Sequence, residues 1–95
     1  MTISEIHKLF LSCSSVVIDT RKITPKSFFV ALKGERFDAN TFAKEALDSG
    51  ASYVLIDNKD YFIDFRTILV EDCLIALQQL AKFHREYLKI PIIAL

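Results

Sequence analysis

Glycine and proline are scarce in this sequence, two of each against eight phenylalanines. That balance excludes a collagen-like repeat, a Pro/Gly linker and a disordered tail, because 52% of the residues are apolar and can build a core. An excess of one charge is also lacking. Twelve Lys and Arg offset twelve Asp and Glu without clustering, so no nucleic-acid or anionic-membrane surface is expected. The longest apolar runs, Phe28 to Leu32 and Ile90 to Leu95, fall well short of the roughly 20 residues a membrane span requires. The start, Met1-Thr2-Ile3-Ser4-Glu5, has no basic stretch leading into an apolar one, which argues against a signal peptide. Cys13 and Cys73 are the only cysteines and read as reduced thiols packed as small hydrophobes. The expected address is the cytoplasm.

Catalytic signatures are missing too. No G-x-G-x-x-G or G-x-x-x-x-G-K-[ST] occurs, and Ser12, Ser14 and Ser15 flank no G-x-S-x-G elbow. His7 and His84 have no partner at metal-ligand spacing, so structural or surface roles are expected for both. The chain reads as able to bind a ligand but not to turn it over.

What is there is an alternation of helical and strand patterns in a single domain, one that buries roughly 60–65% of its unfolded surface. Thr2 and Glu5 have capping-box spacing, and Ile3, Ile6, Phe10 and Leu11 share a face, predicting a helix over about 3–12. Val16-Val17-Ile18 and Phe28 to Leu32 read as strands. Asn40 or Thr41 is expected to cap a second helix with Phe42, Ala43, Ala46 and Leu47 buried, and Gly50 to stop it. Tyr53 to Ile56 and Thr67 to Val70 are further strands, separated by a surface excursion. Asp72 caps an amphipathic helix over about 73–88, and Ile90 to Leu95 is a fifth strand. The fold class is α/β: a small layered domain with a mixed sheet of about five strands and about three helices. Too few residues separate strands one and two for a helical crossover, so those two are expected to be antiparallel neighbours or not neighbours at all. The last strand, ending in Ile-Ala-Leu, reads as a boundary within a longer chain.

Polar residues stand where strands stop: Asp19-Thr20-Arg21, Lys33 to Asn40 and Asp57 to Asp60. Strand carboxyl ends are where open α/β sheets collect ligands. Thr20 offers a hydroxyl and Arg21 a five-donor fork for phosphate or carboxylate oxygens, while Lys33, Gly34 and Arg36 add charge and close backbone approach. The plainer alternative pairs Arg21 with Asp19 or Glu35 and leaves Lys33 a solvated loop charge. Asp57 follows an apolar strand as the phosphoacceptor of a receiver domain does, but no acidic pair follows strand one, and Asp57 reads as a turn residue.

Taken in order, these segments resemble the first domain of the Mur ligases. Val17-Ile18-Asp19-Thr20-Arg21 resembles the family's D-[ST]-R element. P-K-S-F-F-V-A-L-K-G-E-R-F-D-A-N, from Pro25, resembles P-G-x-[LF]-F-V-A-L-x-G-x-x-x-D-G-H. T-F-A-K-E-A-L-D-S-G-A-S-Y-V-L-I and I-L-V-E-D-C-L-I-A-L-Q-Q-L-A-K-F-H-R resemble the helix and strand patterns that follow. The resemblance implies that residues 1–95 form the N-terminal domain holding the UDP-sugar end of the substrate, with ATP-binding central and C-terminal domains outside this chain. In the family a T-G-[ST]-x-G-K-[TS] phosphate loop follows the Ile-Ile-Ala strand. The wording A-L-K-G-E-R-F-D resembles the member that joins D-alanyl-D-alanine to UDP-N-acetylmuramoyl-tripeptide in peptidoglycan precursor synthesis. The alternatives are the sibling that adds the third amino acid and a non-catalytic α/β interaction domain. ATP and Mg2+ are implied for the whole ligase and no cofactor for this stretch. The residues matched to substrate binding are Ile18, Thr20, Arg21, Gly34, Glu35, Arg36, Phe37, Asp38 and Asn40, with Arg21 and Asp38 expected to brace the loops, against each other in one arrangement. Two departures stand out: Pro-Gly is Pro25-Lys26 here, and Asp-Gly-His is Asp38-Ala39-Asn40, which removes easy access to positive φ at 39.

Overall fold

Residues 2–33 and 38–88 are described by the computed structural model. The Thr2 capping box forms as its spacing predicts: Glu5 N–H donates to Thr2 Oγ1 (3.2 Å) and Thr2 N–H donates to Glu5 Oε1 (2.8 Å). It opens helix α1, Ile3–Leu11. Four short strands follow: β1 (Val16–Val17), β2 (Phe28–Val30), β3 (Tyr53–Ile56) and β4 (Thr67–Leu69). Helix α2 spans Ala43–Asp48 between β2 and β3, and helix α3 spans Cys73–Leu88 after β4.

The strands lie in sequence order, β1-β2-β3-β4, and every pairing is parallel. This corrects the expectation for the first two strands, which are parallel neighbours with Val16 opposite Phe28 and Val17 opposite Phe29. The physical reason is strand length. A long strand needs a helix to carry the chain back, but strands of two and three residues require a return of only about 10 Å. A 3-10 turn over Thr20–Lys22 and a tight turn at Thr24–Ser27 cover it. A second short return, with a 3-10 turn over Lys59–Tyr61, joins β3 to β4. The sheet of the described residues is thus parallel rather than mixed. The expected fifth strand, Ile90 to Leu95, lies outside the described residues.

Alternation along the strands divides the core. Phe28, Val30, Leu55 and Ile68 face a layer built from Ile6 of α1 and Cys73, Ala76 and Leu80 of α3. Phe29, Val54 and Ile56 face the other way, against Ala43, Ala46 and Leu47 of α2 with Ala39 and Ala51. The sheet is buried on both faces, which is why its strands read as unbroken apolar runs.

The second helix starts differently from the sequence expectation. Asp38 caps a 3-10 turn over Ala39–Phe42 that runs into α2, and neither Asn40 nor Thr41 caps the helix. Asn40 is drawn away by a stronger partner, described below. Gly50, at φ +116, ends the helix as expected, its N–H donating to Leu47 O.

Candidate functional site

After each of the four strands comes an Asp or Asn whose side chain accepts from the N–H two residues on. Arg21 N–H donates to Asp19 (2.9 Å), Asn40 N–H to Asp38 (2.9 Å), Asp60 N–H to Asn58 (3.0 Å) and Leu74 N–H to Asp72 (2.9 Å). These are Asx turns: a short polar side chain stands in for the next backbone acceptor and reverses the chain. Three open 3-10 turns and the fourth caps α3. Because the strands are parallel, all four turns gather at one end of the sheet. That end is where a doubly covered sheet exposes polar groups to a ligand.

At the β1 edge, Ile18 is 57% exposed and continues an edge strand whose Val16 is exposed and Val17 half-buried. Thr20 is half-buried on the 3-10 turn. Arg21 grips Asp19 through Nε (3.1 Å) and Nη2 (2.9 Å), and these hydrogen bonds hold the Asp19 carboxyl down at about 2. The Arg21 side chain is otherwise open to solvent, so its outer N–H donors face outward. Arg21 thus makes the Asp19 pairing that the plainer alternative expects. Asp38 braces Asn40 rather than Arg21, donors reaching it from Asn40 N (2.9 Å) and Nδ2 (2.6 Å). Gly34, Glu35, Arg36 and Phe37 lie outside the described residues.

Asn40 is fully buried and joins two strand ends. Its Nδ2 donates to Asp57 Oδ1 (2.8 Å), and Asp57 N–H donates back to its Oδ1 (2.9 Å). Asp57 is therefore more than the turn residue the sequence suggests. Its side chain is only 3% exposed, takes Cys73 N–H on Oδ2 at 3.0 Å, and meets Lys33 Nζ at 3.5 Å. Burial alone would raise its pKa, but the Cys73 amide, the Asn40 amide and the Lys33 ammonium outweigh it and hold the carboxyl below its ordinary value. Nothing local marks this junction. Its signal is an acid directly after an apolar strand, together with Asn where the family pattern has His.

Cys73 is buried, and its thiol is pushed up to about 12 by burial and by Asp57 and Asp72. It is a packed, unreactive thiol rather than a nucleophile. Among the described residues no group of three His, Cys, Asp or Glu could hold a metal, and no helix is long and apolar enough to cross a membrane. Two cavities open at the strand ends. One, of about 730 Å³, is lined by Ile3, Ile6, Asp57, Leu69 and Ile75 among others. The other, of about 190 Å³, is lined by Leu32, Lys33, Asp57, Asp72 and Leu74. Neither includes Ile18, Thr20 or Arg21 in its lining.

The chain is similar to known proteins over most of its length. The family model described as "Mur ligase family, catalytic domain" matches residues 12–85. UDP-N-acetylmuramoyl-tripeptide--D-alanyl-D-alanine ligase of Escherichia coli K12 is 38% identical over 91 residues, covering 96% of this chain and 20% of that protein. The Bacillus subtilis protein of the same name is 43% identical over 75 residues, covering 77% of this chain and 16% of its own length. The crystal structure of MurF ligase from Thermotoga maritima in complex with ADP superposes with a TM-score of 0.65 at 34% identity, covering 83% of this chain and 17% of that one. The chain spans about a fifth of the curated relatives it matches, 20% in the Escherichia coli case.

Proposed function

This chain belongs to the Mur ligase family, and we propose that it is the UDP-sugar-binding N-terminal domain of the ligase that adds D-alanyl-D-alanine to UDP-N-acetylmuramoyl-tripeptide. The observation that carries the reading is the parallel pairing of β1 with β2. It brings the Asp19–Arg21 turn out of the same end of the sheet as Lys33 and Asp38. Exposed Ile18 offers an apolar surface to a uracil ring, and Thr20 a hydroxyl to a uracil or phosphate oxygen. The outward donors of Arg21 suit a phosphate, and Gly34, Glu35, Arg36 and Phe37 would complete the cradle with amides, charge and an aromatic face. Asp38 and Asn40 hold the start of the 3-10 turn that follows.

ATP and Mg2+ serve the whole ligase in this reading, supplying the activation of the peptide carboxylate. The 95 residues contain no G-x-x-x-x-G-K-[ST] run to hold them, so the part played here is binding and orientation of the uridine end, with D-alanyl-D-alanine received elsewhere. The place of work is the cytoplasm, where UDP-linked precursors are made. The sibling ligase that adds the third amino acid is less well supported, since the curated relatives above both carry the D-alanyl-D-alanine name.

The test is a titration of the chain with UDP, and with UDP-N-acetylmuramoyl-tripeptide, followed by backbone amide shifts. Saturable shifts at Ile18–Arg21 and at residues 33–38 are expected, with weak affinity. No shift in either segment at millimolar UDP would remove the site assignment.

A further inference from the structure

We propose that Asp57 is a positioning residue for this site: it holds the Lys33 ammonium and the Asp38–Asn40 turn at the mouth between β2 and β3, so that Lys33 presents its charge to the diphosphate of the ligand. The inference rests on the binding function proposed above and adds two residues with assigned roles. Three parts of the chain meet on one buried carboxylate. Lys33 follows β2, Asn40 lies in the 3-10 turn before α2, and Cys73 is the first residue of α3. The two stems of the segment between Lys33 and Asp38 are thereby tied to the end of β3, and an antiparallel bridge between Lys33 and Asp38 closes them on each other. Asp57 cannot touch a ligand well itself, since its side chain is 3% exposed and its oxygens are occupied. The Lys33 side chain is 53% exposed, and an ammonium has three donors, so one contact at 3.5 Å leaves the others for an anion.

The isosteric substitution Asp57→Asn separates the roles. Its remaining carbonyl oxygen can still accept from Cys73 N–H, while its new NH2 would face the Asn40 amide and the Lys33 ammonium, donor against donor. We expect UDP affinity to fall by about tenfold, the scale of a lost charge-assisted contact, with a lowered thermal midpoint but a folded chain at 25 °C. Lys33→Gln should lower affinity for UDP but leave affinity for uridine unchanged, a pattern that general loosening would not produce. The double variant should be little worse than either single one, since both break one unit. Unchanged UDP affinity in Asp57→Asn, additive losses in the double variant, or equal loss of UDP and uridine in Lys33→Gln would each overturn the proposal. Should Asp57→Asn fail to fold, Lys33→Gln decides. Should the parent chain bind neither ligand, the binding function is what fails. Amide exchange of the free protein then judges Asp57 alone: exchange at Ala39, whose N–H donates to Leu32 O, should quicken at least about tenfold in Asp57→Asn, and no change rejects the clamp.

Discussion

Lys26 has φ +66, the left-handed region that side chains with a Cβ avoid. It follows Pro25 in a turn closed by Ser27 N–H donating to Thr24 O, the arrangement that requires positive φ at its third residue. The family pattern has glycine there, and the structure keeps the turn without it. Lys26→Gly should therefore stabilise the chain by up to about 1 kcal/mol, relief of strain being partly offset by the freer unfolded glycine. A urea midpoint that falls instead would contradict this. Across from it, Gly50 at φ +116 brings its backbone against Pro25, and a Cβ there would lie 3.3 Å from Pro25 Cα. Gly50→Ala should cost about 1–3 kcal/mol by strain and crowding together, read from the same urea curves. At Ala39 the loss of the family's glycine has the opposite result. The chain turns right-handed there into a 3-10 turn, which needs no positive φ. Single residues with strong conformational rules were thus legible from the sequence. Asp57 was not, because its partner Asn40 is 17 positions away and the contact exists only once β3 lies beside β2.

Elements divide along the same line. Helices α1 and α3 were legible to within a residue at most ends, because caps and a 3.6-residue stripe are local signals. Strand direction was not, because the rule for crossover length presumes strands longer than β1 and β2. The contact between α1 and α3 was also invisible in the sequence, and it contains a histidine pair. His7 Nε2 lies 3.1 Å from His84 Nδ1, with Phe10, Phe83 and Tyr87 packed around His7. One nitrogen donates and the other accepts, so the pair accommodates at most one added proton without setting two donors face to face. Burial, and then the charge of His84, lower the pKa of His7 below its ordinary 6.5. Among the described residues, the titratable groups facing it are His84 and Tyr87, and no carboxylate contributes to its shift. The unfolded chain takes up that proton near pH 6.5 and the folded one resists it, so the stability involved is complete above that pH and is lost as pH falls through and below it. Thermal midpoints should drop between pH 7.5 and 5, and His7→Phe should flatten the drop. An equal drop in the variant would show that other groups carry it.

On the scale of the whole molecule, one parallel sheet serves both stability and site. Its apolar strands fill the two layers, and its carboxyl ends leave the Asx turns at Asp19, Asp38, Asn58 and Asp72 on one rim, so a loss of core packing and a loss of binding should be separable. The layers are unequal. The side toward α1 and α3 holds Phe28, Leu55, Ile68, Ile6 and Leu80, bulky side chains able to shift into a gap. The side toward α2 is lined by Ala31, Ala39, Ala43, Ala46 and Ala51 beside Leu47, Val54 and Ile56, with the fully buried Phe29 as its one large filler from β2. Alanines cannot reach into space that a ring vacates, and β2 is paired on both edges and cannot move inward. Phe29→Ala should therefore fall at the upper end of the usual range for such truncations, about 3–5 kcal/mol, with most of the cost coming from a cavity that stays open. A domain of this size is stable by only about 5–14 kcal/mol, so the variant should keep its fold in the cold and lose much of it at 37 °C. Adding saturating UDP should restore part of the lost midpoint, because the rim that binds it is not the layer that was cut. A Phe29→Ala midpoint within about 1 kcal/mol of the parent would mean that the α2 layer closes on itself, and that β2 is not the fixed wall from which the binding turns are hung.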